Sequence, residues 1–307
     1  MSPSVPLVAV GPTDWRLATD AVVAGGGRVV VPEEAEALVW VDWSDVQGLD
    51  GILERSPGIR WVHLPGAGIE RFLDSARRFG GRTWTCSKGA HSALIAEHAL
   101  ALALAGVHAV VPSARASAWE PMSVGSLMGQ PVTIVGGGGI AAALIALLAP
   151  FGARVTAVRR SDRPLPGAAR TLTTASLHDA LPDARLVVLA LALTPDTTGI
   201  IGRAELESMH RRAWLVNVSR GAHVDTDALV EALTSQAIAG AALDVTDPEP
   251  LPDGHPLWSM PNCLVTPHSA GNSSAVMRLL ARRVEDNVRR FGAGEELIGV
   301  VDPVAGY

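Results

Sequence analysis

Cysteine is scarce in this 307-residue chain, which holds only Cys86 and Cys263. The two residues lie far apart and lack the spacing of metal-ligand pairs, so the sequence predicts neither a disulfide framework nor a zinc site. We therefore expect no metal. Free thiols are typical of a reducing compartment, which favours a cytoplasmic protein.

Charge of either sign is also limited. Charged residues make up 18% of the chain, the formal net charge is −6, and the arginines are scattered rather than collected in one stripe. The sequence therefore lacks the basic patch that is typical of a nucleic-acid-binding protein. Hydrophobic residues reach 48%, which excludes a disordered chain. Small molecules are the expected partners.

Long hydrophobic runs are missing as well. The most apolar stretch, residues 93–111, is interrupted by Glu97, His98 and His108, so it predicts a buried helix rather than a membrane span. Residues 1–10 have no basic segment and only a strand-length apolar run, unlike a signal peptide. We expect no membrane partner.

Short apolar runs alternate with helix-length segments along the chain. This alternation predicts an α/β fold with two Rossmann-like, doubly wound parallel sheets. A helix over about 92–116 should bridge the two, and the helical tail 274–291 should pack on the first. The first series of predicted strands comprises 7–10, 29–31, 37–41 and 61–64; the second comprises 132–135, 155–158, 186–193, 214–218, 239–243 and 263–265.

A glycine-rich turn directly follows the predicted strand 132–135. Gly136, Gly138 and Ala141 fit the pattern G-x-G-x-x-A, in which the first glycine makes a tight turn, the second admits a pyrophosphate and the third small residue permits close helix packing. Gly139 and Ile140 open the next helix, whose amino end attracts phosphate. A flexible turn is the alternative, but the flanking strand and helix favour dinucleotide binding.

The second strand of this series ends in Arg159, Arg160 and Ser161, where an NAD-binding protein carries an acidic residue for the ribose hydroxyls. Guanidinium groups bind phosphate through paired hydrogen bonds, so this strand end favours the 2′-phosphate of NADP. The alternative is a solvated strand end, with Asp162 as a displaced acid that restores the use of NAD.

Three residues follow successive strands of the second series: Arg220, Glu249 and His268. A 2-keto acid needs a cation to hold its carboxylate and polarise its carbonyl, and arginine does both with fixed geometry. A glutamate beside an imidazole stabilises the protonated ring, which makes His268 a proton donor for the nascent alkoxide. Taken singly, Arg220 could cap a helix, Glu249 could lie on a loop surface and His268 could be a structural histidine.

These motifs occur together in one family, and the chain resembles the D-isomer-specific 2-hydroxyacid dehydrogenases. The matching segments extend from about residue 61 onward in the family's order. They are residues 66–70, 96–98, 136–141, 193–199, 217–221, 240–245 with 249–250, 257–258 and 266–268.

The resemblance implies a domain arrangement and an assembly. A flavodoxin-like substrate domain should consist of residues 1–98 and 274–307, and a dinucleotide-binding Rossmann domain of residues 99–273. A homodimer should form largely through the cofactor domains.

The resemblance also assigns roles to individual residues. It gives Arg220 the substrate carboxylate and carbonyl, His268 the proton transfer and Glu249 the support of His268. It places the carboxylate on backbone amides of the loop that follows residue 63. Because Pro65 has no N–H, the candidate donors are Gly66, Ala67 and Gly68. The further cofactor contacts that it implies are Thr194, Thr198, Val218, Asp244 and His268.

Three positions depart from the family's usual pattern: Glu70 stands for an aspartate, Ala192 for a proline, and Arg159 ends the strand. Arg159 brings the chain nearer the NADPH-using glyoxylate and hydroxypyruvate reductases. The expected function is hydride transfer between NADP(H) and a small 2-keto acid or D-2-hydroxy acid. The alternatives are an NAD-dependent dehydrogenase of a bulkier D-2-hydroxy acid and a non-catalytic, cofactor-sensing protein.

Overall fold

The computed structural model describes residues 4–119 and 121–307. Contacts within the chain define two compact units: one contains the residues up to His91 and Asn272–Tyr307, and the other contains Ser92–Gly271. The boundaries expected from the resemblance lie after residues 98 and 273. The boundaries of the contact-defined units lie slightly earlier, after His91 and Gly271, and the first coincides with the start of one continuous helix at Ser92.

Strands and helices alternate through both units. The strands are β1 (Leu7–Gly11), β2 (Arg28–Val29), β3 (Ala37–Trp40), β4 (Trp61–His63), β5 (Thr83–Thr85), β6 (Pro131–Val135), β7 (Arg154–Arg159), β8 (Arg170–Thr173), β9 (Leu186–Leu189), β10 (Trp214–Asn217), β11 (Gly240–Leu243) and β12 (Cys263–Val265). The α-helices are α1 (Arg16–Ala24), α2 (Val46–Arg55), α3 (Leu73–Arg78), α4 (Ser92–Val107), α5 (Val110–Arg115), α6 (Gly139–Leu148), α7 (Arg203–Ser208), α8 (Thr226–Thr234), α9 (Pro256–Ser259) and α10 (Ser274–Ala293).

The first unit is built on a parallel sheet of five described strands in the order β2-β1-β3-β4-β5. In its central strand β3, Leu38 and Trp40 join an apolar cluster with α2, whereas Ala37 and Val39 join a second cluster with α1 and α10. Successive side chains of a strand point to opposite faces, so a strand covered on both faces is apolar at every position.

The second unit is built on a parallel sheet of seven described strands in the order β12-β11-β10-β9-β6-β7-β8. From β6 the chain first moves outward through β7 and β8, and then returns to the other side of β6 as β9. Ligands of open α/β sheets bind beside the carboxyl ends of strands at such a reversal point. The two parallel sheets confirm the predicted α/β fold class.

All ten predicted strands are present, although the one expected at 186–193 ends at Leu189. Two strands, β5 and β8, were not predicted. Each is an edge strand of its sheet and carries polar residues, because an edge is not covered by a neighbour on its outer side.

The predicted helix over 92–116 is interrupted. Its α4 part ends at Val107, Ala109 adopts a left-handed conformation with φ 51°, and α5 begins at Val110. No helix in the described part of the chain combines the length and the apolar character needed to cross a membrane.

Two adjacent leucines in the last turn of α6 offer a test of the second unit's core. Leu148 is fully buried, whereas Leu147 is exposed. Leu148→Ala should lower the free energy of unfolding by about 2–5 kcal/mol, because it leaves a cavity in a packed core. Leu147→Ala makes the same chemical change on the surface and should cost less than about 1 kcal/mol. Equal losses in denaturant titrations would contradict this packing.

Candidate active site

The register of the second sheet brings its strand ends into one row. Neighbouring Cα partners run across the sheet from Val158 through Val135, Leu189, Asn217 and Leu243 to Val265. Because all strands are parallel, the loops that leave these residues start from the same edge. Every candidate residue of this unit lies on one of those loops or at a strand end beside them.

The glycine turn follows β6 in a conformation that requires glycine. Gly136 has φ 138°, and a Cβ atom there would lie 2.0 Å from the carbonyl oxygen of Ala190. Gly138 precedes α6 with open space where its side chain would be. The backbone amides of Gly139 and Ile140 have no acceptor among the described residues. This helix terminus can therefore receive a phosphate group.

Arg159 packs over the glycine turn. A Cβ atom at Gly137 would lie 2.7 Å from Arg159 Nε, so the guanidinium stem occupies the space beside that residue. None of the described carboxylates forms an ion pair with Arg159. Arg160 and Ser161 are exposed at the same strand end. Arg159 therefore places a positive charge next to the glycine turn.

The loop that carries Arg220 is shaped by its buried neighbours. Asn217 accepts a hydrogen bond from Ser219 N–H at 3.0 Å and donates one to the Arg220 carbonyl at 2.8 Å. A Cβ atom at Gly221 would lie 1.9 Å from the Thr246 carbonyl, so only glycine lets the next loop approach. That next loop carries Glu249. Half-buried Arg220 donates through Nη1 to the Ser219 carbonyl at 2.7 Å.

His268 and Glu249 form a close pair. The Nδ1 atom of His268 lies 2.7 Å from Oε1 of Glu249, with both side chains close to half exposed. A carboxylate can only accept, so Nδ1 carries a proton and donates it in a hydrogen bond to Glu249. The other ring nitrogen, Nε2, is then the one available for proton transfer. Nε2 has no hydrogen-bond partner within residues 4–119 and 121–307. The pair can exchange a proton with a bound oxygen atom.

Asp244 holds the loop on which His268 lies. Its buried carboxylate accepts hydrogen bonds from the Thr266 hydroxyl at 2.6 Å, Ser269 N–H at 2.8 Å and Ala270 N–H at 3.1 Å. His268 donates its own N–H to the Asp244 carbonyl at 2.8 Å and has φ 51°. A left-handed conformation is strained in a non-glycine residue, and these bonds offset the strain. The predicted cofactor contact through Asp244 stays a prediction.

His98, which has no predicted role, contacts the Asp244 carboxylate and Thr266. Its Nε2 lies 3.2 Å from Asp244 Oδ1 and 3.3 Å from Thr266 Oγ1. The signal available in the sequence was a histidine within a mostly apolar helix, because a polar group in such a position needs a partner. Asn217 was missed in the same way, at the end of a buried strand.

The remaining predicted cofactor residues lie on two adjacent loops. Thr194 and Thr198 belong to one tight turn, in which the Thr198 hydroxyl donates to the Thr194 carbonyl at 3.0 Å. Val218 is buried directly after β10. The structure therefore puts them at the carboxyl edge of the second sheet, and their contact with a cofactor stays a prediction.

The predicted substrate loop lies in the first unit, after β4. A Cβ atom at Gly66 would lie 1.9 Å from the Trp43 ring, so glycine permits this ring to close on the loop. Ala67 is exposed and Gly68 partly exposed. The N–H groups of Gly66, Ala67 and Gly68 have no acceptor in the part of the chain that the structure describes. These free donors are suited to an anion.

Metal chemistry has no candidate site in the described residues, since no three His, Cys, Asp or Glu side chains form a suitable group there.

The comparison with known families agrees with this geometry. Residues 98–270 match the NAD-binding domain of the D-isomer-specific 2-hydroxyacid dehydrogenases. The chain belongs to this family. A glyoxylate reductase from Aeropyrum pernix is 32% identical over 257 residues, which cover 80% of this chain and 76% of that protein.

Two solved structures of family members are similar to the whole chain. A D-isomer-specific 2-hydroxyacid dehydrogenase from Xanthobacter autotrophicus Py2, in complex with NADPH and MES, is 31% identical with a TM-score of 0.84, covering 99% of this chain and all of that one. An NADPH-dependent glyoxylate/hydroxypyruvate reductase from Sinorhizobium meliloti, in complex with NADP and sulfate, is 26% identical with a TM-score of 0.81 and the same coverage.

The Asp244 clamp can be tested in this family member by Asp244→Asn. One acceptor oxygen then becomes an amide donor that faces a backbone N–H, so the free energy of unfolding should fall by about 1–3 kcal/mol. Asp227→Asn on the exposed face of α8 is the matched control and should change stability by less than about 0.5 kcal/mol. Denaturant titrations of both variants provide the measurement. An unchanged midpoint for Asp244→Asn would show that the hydrogen bonds of Asp244 do not stabilise the fold.

Proposed function

We propose that the protein is an NADP(H)-dependent reductase of small 2-keto acids, of the glyoxylate and hydroxypyruvate reductase type, which forms the corresponding D-2-hydroxy acid. The observation that carries the proposal is the His268–Glu249 pair, with its 2.7 Å contact and free Nε2, on the same sheet edge as the glycine turn and Arg220.

The residues divide the work of the reduction. A nicotinamide cofactor held at the glycine turn would supply a hydride for the carbonyl carbon of the substrate. His268 donates the Nε2 proton to the carbonyl oxygen, and the Glu249 carboxylate stabilises the ring while it is charged. Arg220 binds the carboxylate of the substrate and polarises its carbonyl.

The backbone amides of Gly66, Ala67 and Gly68, which have no acceptor among the described residues, are proposed donors to the substrate carboxylate. Backbone amides bind a small anion without contributing a side chain that fills the site. A short 2-keto acid such as glyoxylate suits these backbone amides, because its carboxylate is the main group that a protein can recognise. The name of the 32% identical Aeropyrum pernix relative, glyoxylate reductase, supports the same substrate class.

Arg159 selects NADP over NAD in this proposal. Its position over the glycine turn, without a described carboxylate partner, suits a 2′-phosphate on the adenosine ribose. Arg160 and Ser161 add further donors at the same strand end. The NADPH and NADP held by the two similar solved structures support this preference.

The protein acts as a homodimer in this proposal, through its cofactor-binding unit. Large apolar side chains are exposed along residues 110–128, with Trp119 99% exposed, together with Val110, Val124 and Met128. Exposed apolar patches of this kind mark interaction surfaces. The two cysteines are free and buried, which suits a cytoplasmic enzyme.

The function is tested by steady-state turnover of glyoxylate and hydroxypyruvate with NADPH. Arg220→Lys should lower kcat/KM by about 100-fold or more, because lysine cannot reproduce the paired contacts of guanidinium. Arg211→Lys makes the same change at an exposed position before β10, at the other end of that strand. It should leave kcat/KM unchanged. Full activity of Arg220→Lys, or no turnover of any 2-keto acid by the wild-type protein, would refute the proposal.

The cofactor preference is tested by Arg159→Gln. Loss of a charged hydrogen bond to the 2′-phosphate should reduce kcat/KM for NADPH about 10- to 100-fold and leave NADH nearly unaffected. Arg154→Gln is a matched control, because Arg154 begins the same strand β7 that Arg159 ends and is exposed. A wild-type enzyme that uses NADH as efficiently as NADPH would exclude the preference.

A further inference from the structure

A buried chain of polar side chains lies beneath the loop 64–68 of the first unit. His63 and Thr85 are Cα partners at the ends of β4 and β5. Trp61 donates through Nε1 to Thr85 Oγ1 at 2.8 Å, Thr85 Oγ1 lies 2.8 Å from His63 Nδ1, and His63 Nε2 lies 3.2 Å from Ser87 Oγ. All four side chains are almost completely buried.

Within this group, each side chain donates a hydrogen bond to the next, from Trp61 through Thr85 and His63 to Ser87. Thr85 Oγ1 accepts from Trp61, so its proton goes to an acceptor, and His63 Nδ1 at 2.8 Å is much closer than the Val62 carbonyl at 3.4 Å. His63 is neutral, because burial, with a contribution from the Arg283 charge, lowers its pKa to about 3. A neutral ring that accepts at Nδ1 carries its proton on Nε2. His63 therefore donates to Ser87.

Ser87 in turn holds the substrate loop. Its backbone N–H donates to the Gly66 carbonyl at 2.8 Å. The peptide between Gly66 and Ala67 is trans, so its carbonyl and its N–H point in opposite directions. Because the Gly66 carbonyl points to Ser87, the Ala67 N–H points away from Ser87. Ala67 is exposed, and its amide has no acceptor among residues 4–119 and 121–307.

We propose that His63 is a positioning residue, which fixes Ser87 and through it directs the Ala67 N–H toward the substrate carboxylate. This inference rests on the proposed function, in which the loop receives that carboxylate. It selects Ala67 among the three candidate amides, and it assigns substrate affinity to two buried side chains, His63 and Ser87, that do not themselves touch the substrate.

Steady-state kinetics separate this role from mere packing. Ser87→Ala and His63→Leu should each raise the KM for glyoxylate about three- to tenfold, the loss expected for one misdirected neutral hydrogen bond, with kcat within about twofold and the KM for NADPH unchanged. His63→Gln retains an amide donor and should recover part of the affinity. The double variant Ser87→Ala with His63→Leu should be no worse than either single variant, because both break one connection.

The matched control is Thr133→Val in the second unit. Thr133 is also a buried hydroxyl residue at the sheet, and it donates to the Ala180 carbonyl at 2.6 Å. Its loss should reduce thermal stability and leave the KM for glyoxylate unchanged. An equal rise in KM for Thr133→Val would show that general loosening of the fold is the cause, and would overturn the positioning role.

Hydrogen-deuterium exchange provides a readout that does not need turnover. Saturating oxamate with NADP should slow exchange in a peptide that spans residues 64–68 of the wild-type protein, and should slow it less in Ser87→Ala. If the wild-type protein turns over no 2-keto acid, the proposed function fails, whereas protection lost in Ser87→Ala still supports the positioning role. Unchanged KM in the variants, or protection equal in wild type and Ser87→Ala, overturns it.

Discussion

The parallel register of the second sheet is the constraint on which its candidate site depends. Six residues from Val158 to Val265 stand in one row across the strands, so the loops that follow them begin at the same edge. A shift of one residue in a central strand would turn each of its side chains to the opposite face of the sheet and into the other apolar cluster, and the close packing of the two clusters prevents such a shift. The core of the sheet therefore determines where Arg159 and the loops that carry Arg220 and His268 are placed.

The groups available for chemistry are separated from the groups that hold them. His268 and Glu249 are close to half exposed, whereas Asp244 and Asn217, which organise the loops around them, are almost completely buried. A buried polar group with all its hydrogen bonds satisfied makes a loop rigid, because any other arrangement leaves donors or acceptors unpaired. The left-handed backbone of His268 is maintained by this rigidity. His63 and Ser87 have a comparable relation to Ala67 in the first unit.

Most of the fold could be predicted from apolar runs, because strands covered on both faces are apolar at every position. The two missed strands, β5 and β8, lie at sheet edges, where neighbouring strands do not demand that pattern. The break between α4 and α5 at Ala109 was also missed, since no glycine or proline marks the left-handed residue. Of the site, the glycine turn, Arg220, Glu249 and His268 could be given roles from motifs, whereas the supporting roles of His98, Asn217 and His63 depend on contacts that the motifs do not show.

The sequence by itself determined the family, the α/β fold class and the identity of the residues on the loops, because these depend on composition and on spacing along the chain. Only the tertiary structure decided that Glu249 lies 2.7 Å from His268, that Arg159 packs over Gly137 and that Asp244 clamps the loop 266–270. These contacts join residues that are 19 or more positions apart. Their geometry depends on strand register and on close approaches at glycines such as Gly221, which no local pattern of residues records.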